Sequence, residues 1–223
     1  MKLRVKPSLH FCVVEGRTIF MDEKSSRYFC LPVAIDESFQ RSVSVEGFLD
    51  VPDNASLAEL TNLDLIEPLR GPVIVPRQVI CEPSKDFGKV SIINPKLSEL
   101  IGTVFIRLCS QIGVGFRDIQ RIRADLDRER LKFRNRPRAR PDSSLQAILR
   151  AFEQSDIIFG RSDRCLPRSV ALVRRSFRAG FNPRLIIGVR VNPFAAHCWV
   201  QHDDMIIGDS LDIVRIYTPI CVL

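Results

Sequence analysis

This chain of 223 residues has little that points to a membrane, a nucleotide or a structural metal. No apolar run approaches the roughly 20 residues that a bilayer-spanning helix needs. The first residues, Met1-Lys2-Leu3-Arg4-Val5-Lys6-Pro7, carry cations with no long apolar segment behind them. The expectation is a cytoplasmic protein without membrane contact. No glycine-rich phosphate loop is present, which argues against a tightly held nucleotide. The seven cysteines (Cys12, Cys30, Cys81, Cys109, Cys165, Cys198 and Cys221) are odd in number, scattered and free of any Cys-x-x-Cys pair. That argues against both a disulfide framework and a thiolate zinc site. Tryptophan occurs once, at Trp199.

A composition that is 45% hydrophobic and 26% charged is that of an ordinary globular protein, with room for one large domain or two small ones. Its net charge of +7 is uneven. Between Arg117 and Arg140 ten cations face four acids, so this segment alone supplies +6. Such a run can line a phosphate-binding strip. The alternative is a solvated helix followed by a basic loop, with Arg128 beside Asp125 and Glu129. No aromatic residue interleaves with these arginines before Phe133, so stacking platforms for bases are missing and the solvated helix is favoured. Residues 1 to 70 are acidic, with eight Lys and Arg against eleven Asp and Glu. An acidic module repels phosphate, which makes nucleic acid a poor partner for it.

Local patterning divides the chain in two. Leu9-His10-Phe11-Cys12-Val13-Val14, Thr18-Ile19-Phe20-Met21-Asp22 and Arg27-Tyr28-Phe29-Cys30-Leu31-Pro32-Val33 read as a three-strand meander with turns at Glu15-Gly16 and Glu23-Lys24-Ser25-Ser26. Helical spacing follows over Asp36 to Val43 and over Ser56 to Ile66, the latter opening on a Ser56–Glu59 capping box. Five prolines between residues 67 and 95 mark a boundary. The expected division is residues 1–70, a proline-rich linker over 71–94, and a second domain over 95–223. Helices are predicted over residues 96–113, 117–133 and 143–159, and from Cys165 to Gly180. Short strands are predicted over Leu185–Val191, Ala196–His202, Met205–Asp209 and Val214–Ile220.

Cys165 opens a helix, His197 lies 32 residues on and Asp209 a further 12. A helix N-terminus and an imidazole both stabilise a thiolate, and a hairpin about the His202-Asp203-Asp204 turn brings His197 beside Asp209. The carboxylate then fixes the imidazole tautomer so that the other nitrogen faces the sulfur. His202, Asp203 and Asp204 compete for these roles, but a turn exposes them to solvent. Alternation puts Cys198 on the opposite face, toward the core, and Trp199 on the face of His197. His10 has no assigned role. The fold class is α+β, and helices followed by an antiparallel sheet is the order found in papain-like and transglutaminase-like cysteine enzymes.

Three stretches, Cys165-Leu166-Pro167-Arg168-Ser169, Ala196-His197-Cys198-Trp199-Val200 and Ile206-Ile207-Gly208-Asp209, closing with Tyr217-Thr218-Pro219, resemble the lasso-peptide leader peptidases, the B proteins of the microcin J25 maturation type. Ile19-Phe20-Met21-Asp22 followed by Arg27-Tyr28-Phe29-Cys30-Leu31 is similar to the PqqD-like recognition element, a winged helix-turn-helix. The resemblance implies that the second domain is a transglutaminase-like thiol protease that removes a leader peptide, with Cys165 as nucleophile, His197 as base and acid, and Asp209 as orienter. It also implies a partner cyclase similar to asparagine synthetase, which is where ATP enters the pathway. The leader would add to the edge of the N-terminal sheet, with Tyr28, Phe29, Cys30 and Leu31 at or near that edge and Leu60, Leu63 and Leu65 on a groove helix. Core packing competes with binding at each of these positions. Two other functions stay open: acyl transfer to an amine by the same triad, as in a transglutaminase or amidase, and non-catalytic DNA binding by the winged helix.

Overall fold

The computed structural model describes residues 3–44, 48–49, 54–68, 81–87, 95–134, 141–160 and 165–223. The chain divides into two units, Met1–Val79 and Ile80–Leu223.

In the first unit, β2 (Leu9–Val14), β3 (Arg17–Asp22) and β4 (Arg27–Cys30) form an antiparallel meander, β1 being Leu3–Val5. Glu15 and Gly16, which join β2 to β3, both have positive φ, 48° and 76°. That turn twists the way paired strands twist. The next turn is held by Asp22, whose carboxylate accepts from the backbone N–H groups of Lys24 and Ser25 at 3.0 and 3.3 Å. Strand register sets Phe11, Phe20 and Phe29 side by side. The Phe20 and Phe29 rings stack at 5.1 Å, and Phe39 of α1 (Val33–Ser42) meets Phe20 at 5.1 Å and Phe11 at 5.3 Å. This aromatic cluster, with Leu31, Leu60 and Leu65, is the core of the unit.

Two features differ from expectation. A second antiparallel sheet, β5 (Phe48–Leu49), β1 and β6 (Ile66–Pro68), has no counterpart in the sequence reading, because strands of two or three residues carry no readable alternation. The helix expected over 56–66 is α2 (Asn54–Asn62). It starts two residues before Ser56, so Ser56 is not its cap. It ends before Asp64, whose φ of 57° turns the chain into β6 and sends Leu65 to the core.

The second unit begins with β7 (Lys85–Asp86), which lies within the stretch expected as a linker and pairs in parallel with β10 (Met205–Ile207). Phe87 N–H donates to the Ile206 carbonyl at 3.0 Å, extending that edge. Residues 71–80 and 88–94 lie outside the described residues. Four helices follow: α3 (Leu97–Gly115), α4 (Ile119–Phe133), α5 (Pro141–Phe159) and α6 (Cys165–Arg178). By length and composition α3 could cross a bilayer. Glu99 and Arg107 interrupt its apolar residues, which is why no long run reveals it. Its inward face carries buried Thr103, Arg107 and Ser110, and Arg107 pairs with Asp156 of α5 at 2.6 Å.

The arginines of α4 and its start are engaged within the unit. Arg117 and Arg128 bind Asp125, Arg121 binds Asp118, and Arg130 binds Asp127. Arg123 donates to the Val222 carbonyl at 2.7 Å and Arg130 to that of Leu223 at 3.3 Å, fastening the end of the chain to the helix. These contacts match the solvated-helix alternative for the basic run up to Phe133; residues 135–140 lie outside the described residues.

Behind the helices stands one sheet, in the order β11 (Thr218–Val222), β8 (Arg184–Arg190), β9 (Ala195–His202), β10, β7. α6 packs on β8 and β9 and is flanked by α3, α4 and α5. Its middle, Ser169 to Val173, is buried, as befits a central helix. Pro167 falls in its first turn, where a missing N–H costs nothing. The strand expected over 214–220 is a short helix, α7 (Leu211–Val214), followed by β11, because Leu211 and Val214 pack inward at a three-residue step. Asp209, expected in a strand, lies in the bend after β10, where Gly208 has φ +73° and ends the strand.

Candidate active site

Cys165 is the first residue of α6, where unpaired backbone N–H groups and the helix dipole favour an anion. His197 comes from β9 and Asp209 from the bend after β10, whose antiparallel pairing with β9 folds the chain back on itself. The imidazole Nε2 meets Asp209 Oδ2 at 2.6 Å, with both side chains about one-fifth exposed (19% and 21%). Asp209 Oδ1 accepts the backbone N–H of Ser210 at 2.8 Å. Both carboxylate oxygens are thus occupied, and the ring is held in one orientation. The Cys165 thiol hydrogen-bonds the same ring. With Nε2 turned to Asp209, Nδ1 is left for the sulfur.

The electrostatics separate the three groups. Cys165 is brought down to about 4: the buried Cys198 thiol donates to it, burial opposes this, and the His197 ring and the Cys198 backbone N–H add to the stabilisation. Burial pulls His197 down, but its bonds to Asp209 and Cys165 outweigh that and raise it to about 9. Burial would raise Asp209, yet bonds from His197 and the Ser210 N–H hold it below the usual carboxylate range. Donation to Cys165, with complete burial, pushes the Cys198 thiol well above its ordinary value. At neutral pH the site therefore holds a thiolate beside an imidazolium, with one neutral thiol behind them. Such a thiolate attacks carbonyl carbon, and such an imidazolium supplies a proton to a leaving group.

Packing fixes this arrangement. The His197 ring lies 5.2 Å from Tyr217 and 6.4 Å from Trp199, whose indole N–H donates to Gln201 Oε1 at 3.2 Å. Directly opposite His197 in the strand register is Gly188. A Cβ there would sit 2.6 Å from Trp199 Cζ3 and 3.0 Å from Tyr217 Cβ, so the aromatic wall of the site requires glycine. A glycine inside the strand run Leu185 to Arg190 is the available sequence signal of close approach. Cys198 is buried, as alternation implied, but its thiol and its N–H both address Cys165, a role that alternation alone does not reveal.

The chain matches the family "Transglutaminase-like superfamily" over residues 110–222. The chain belongs to the transglutaminase-like superfamily. Cys165, His197 and Asp209 all fall inside the matched stretch, and residues 1–109 fall outside it. No curated protein and no solved structure matches the chain. The superfamily consists generally of thiol-dependent enzymes, cysteine proteases and acyltransferases among them.

Outside this transglutaminase-like domain the expected leader-binding residues do not form one surface. Phe29 stacks on Phe20, Leu31 is 4% exposed and Leu60 is fully buried. These three hold the core of the first unit, because Phe39 covers the face of the meander on which Phe29 lies. Cys30 is exposed on β4, an edge strand of the meander, Tyr28 is half-buried there, and Leu63 is 45% exposed beyond the end of α2. The rival turn residues are otherwise engaged: Asp204 pairs with Lys85 at 3.2 Å and accepts from Ser84, and His202 stands 4.0 Å from Asp203.

Proposed function

We propose that this protein is a cysteine peptidase that cleaves the leader from a ribosomally made lasso-peptide precursor. The observation that carries the reading is the His197–Asp209 bond with the Cys165 thiol on the same ring. The Cys165 sulfur attacks the carbonyl carbon at the leader–core junction, and the developing oxyanion is met by N–H donors, the Cys165 N–H at the helix start being one. The imidazolium of His197 protonates the departing core amine, leaving the leader as a thioester on Cys165. His197, now neutral, takes a proton from water as it attacks the thioester. Leader acid leaves and the thiolate returns.

Leader recognition falls to the first unit, read as a PqqD-like winged helix. The leader pairs with the β4 edge by main-chain hydrogen bonds, and Tyr28, Cys30 and Leu63 are the accessible residues available to it. The freed α-amine passes to an asparagine-synthetase-like cyclase, which consumes ATP; the peptidase itself needs no cofactor and acts in the cytoplasm. The acidic charge of residues 1–70 and the engaged arginines of α4 favour a peptide over DNA. Acyl transfer to an amine shares the thioester and differs only in what attacks it.

The test is incubation of purified protein with a leader-bearing precursor, followed by mass spectrometry. Cleavage at the leader junction is expected, with Cys165→Ala inactive yet still binding leader. Cleavage by Cys165→Ala would remove the triad, and incorporation of an added amine in place of water would move acyl transfer to first place.

A further inference from the structure

Arg168 lies three residues beyond Cys165, on the same face of α6, and it bridges two elements. Its Nη1 donates to the Gly208 carbonyl at 2.9 Å. Its Nε and Nη2 grip both oxygens of Asp156 at 3.1 and 3.2 Å, a bidentate pair only 12% and 10% exposed. Asp156 is in turn fixed by Arg107 of α3, whose Nη1 reaches it at 2.6 Å and also donates to Ser155 Oγ at 2.7 Å. The Phe152 ring lies beneath both guanidiniums, each at 5.8 Å. Gly208 is the residue before Asp209. Its left-handed backbone leaves no room for a side chain, since a Cβ would meet Leu172 Cδ2 at 2.9 Å. So the bend carrying Asp209 is clamped from one side by α6 packing and held by its carbonyl through Arg168.

We propose that Arg168 is a positioning residue for the Cys165–His197–Asp209 site, tying the nucleophile's own helix to the bend that presents Asp209, with Asp156 and Arg107 as its anchor. This rests on the thiolate reading of the site. The arrangement explains how a carboxylate on the short connection between β10 and α7 stays within 2.6 Å of a ring on β9. A guanidinium suits the task because its planar fork serves a carboxylate and a carbonyl at once, whereas an ammonium offers a single point charge. The charged groups set against it are Asp156 from α5, Arg107 from α3 on the same carboxylate, and Asp209 from the bend through its field. The Arg168 charge also favours the ionised form of Asp209.

Iodoacetamide labelling tests this without any peptide substrate. The rate at Cys165 is measured by mass spectrometry from pH 4 to 9, with exposed Cys109 in the same molecule as reference. Folding of each variant is checked by the fluorescence of Trp199. Because its thiolate is already formed at pH 6.5, Cys165 of the unmodified protein is expected to label about tenfold faster than Cys109 or more. Arg168→Met is expected to move the acid limb of the Cys165 rate upward from about pH 4 by about one unit, in the direction of Asp209→Asn, so that the rate near pH 4 falls several-fold. Arg168→Lys is expected to recover stability but not the rate. Asp156→Asn, which keeps its shape, is expected to lose rate in the same sense and carries the test if Arg168→Met fails to fold. A folded Arg168→Met whose acid limb stays at about pH 4, or a limb fully restored by Arg168→Lys, overturns the proposal and leaves the triad standing. Labelling of Cys165 no faster than Cys109 in the unmodified protein overturns the thiolate reading and this proposal together.

Discussion

Gly188→Ala offers a direct test of the packing that shapes the site. The added methyl group would lie 2.6 Å from Trp199 Cζ3 and 2.8 Å from Cη2, about 1 Å inside the normal carbon–carbon separation. Neither wall yields easily. Trp199 is 1% exposed and its indole is tethered to Gln201, and the third contact, Tyr217 Cβ at 3.0 Å, is bound rigidly to its backbone. The strand must bow or the ring must leave its rotamer, and such overpacking typically costs about 1–3 kcal/mol. We expect about 2–3 kcal/mol, which at a urea slope of about 2 kcal/mol per molar lowers the midpoint by about 1 M. Because Trp199 is the only tryptophan, its fluorescence follows unfolding of the second unit alone, which avoids the mixed transition of a two-unit chain. Replacing Trp199 by Phe in the same molecule removes the offending ring atoms and should recover part of the loss in a double-mutant cycle. Gly102, inside α3, is the control: a methyl group added there would meet nothing within 4 Å, and alanine should stabilise by up to about 1 kcal/mol. A Gly188→Ala stability within about 0.5 kcal/mol of the unmodified protein, the usual range of a neutral substitution, would refute the close approach and the wall built on it.

Asp209→Asn removes the partner that, with Cys165, lifts His197 from its ordinary 6.5 to about 9, an interval of about 3 kcal/mol shared between them. The acid limb of Cys165 labelling by iodoacetamide should move upward from about pH 4, and an unmoved limb would deny Asp209 its role. For leader cleavage, kcat/KM should follow a bell between the values of the coupled pair. It falls as pH drops through about 4, where the thiolate takes up a proton, and falls again as pH rises through about 9, where His197 loses the proton it gives to the leaving amine. A single limb near pH 8.5, roughly the ordinary thiol value, would mean an unpaired thiol. Cys198→Ala deletes a donor to the Cys165 sulfur, so the acid limb should move upward, and an unmoved limb would make Cys198 simple packing. In the first unit, Leu60→Ala should cost about 2–5 kcal/mol of its stability, measured by circular dichroism of residues 1–223. Tyr28→Ala, once shown to be folded by circular dichroism, should weaken leader binding in calorimetry; equal binding by both proteins would remove Tyr28 from the recognition surface.

What could be read from the residues follows the range of the interactions involved. The helical repeats over 97–133 and 141–178 are local, repeated several times and opposed by no strand pattern, so the helices fall close to their expected bounds. The period of two in Ala195–His202 likewise tells which face His197 occupies and that Cys198 turns inward. Non-local pairing leaves less trace. β7 is two residues in a proline-rich stretch, and only its hydrogen bonds to residues about 120 positions away make it a strand. Alternation also tells that Tyr28 and Cys30 oppose Phe29 and Leu31, but not which pair faces the core. That is decided by Phe39, which comes from a different element and closes over Phe20.

The placement of Asp209 carries the same lesson into chemistry. Its proximity to His197 is expected from a hairpin of two strands, and proximity alone does not set an orientation. Beside the Ser210 N–H that binds the Asp209 carboxylate, the bend is held by a backbone carbonyl, that of Gly208, engaged by Arg168 from another element. Backbone acceptors have no signature in a sequence, so a residue whose work is to hold one reads as one more helix arginine among many. Here the distinction between Arg168 and its neighbours is visible in their partners. Arg174 and Arg175 on the same helix pair with Glu129 and Glu99, acids on the flanking helices, and hold helix to helix. Arg168 places one arm on a helix and the other on the catalytic bend, and that second bond ties the scaffold to the geometry on which the thiolate depends.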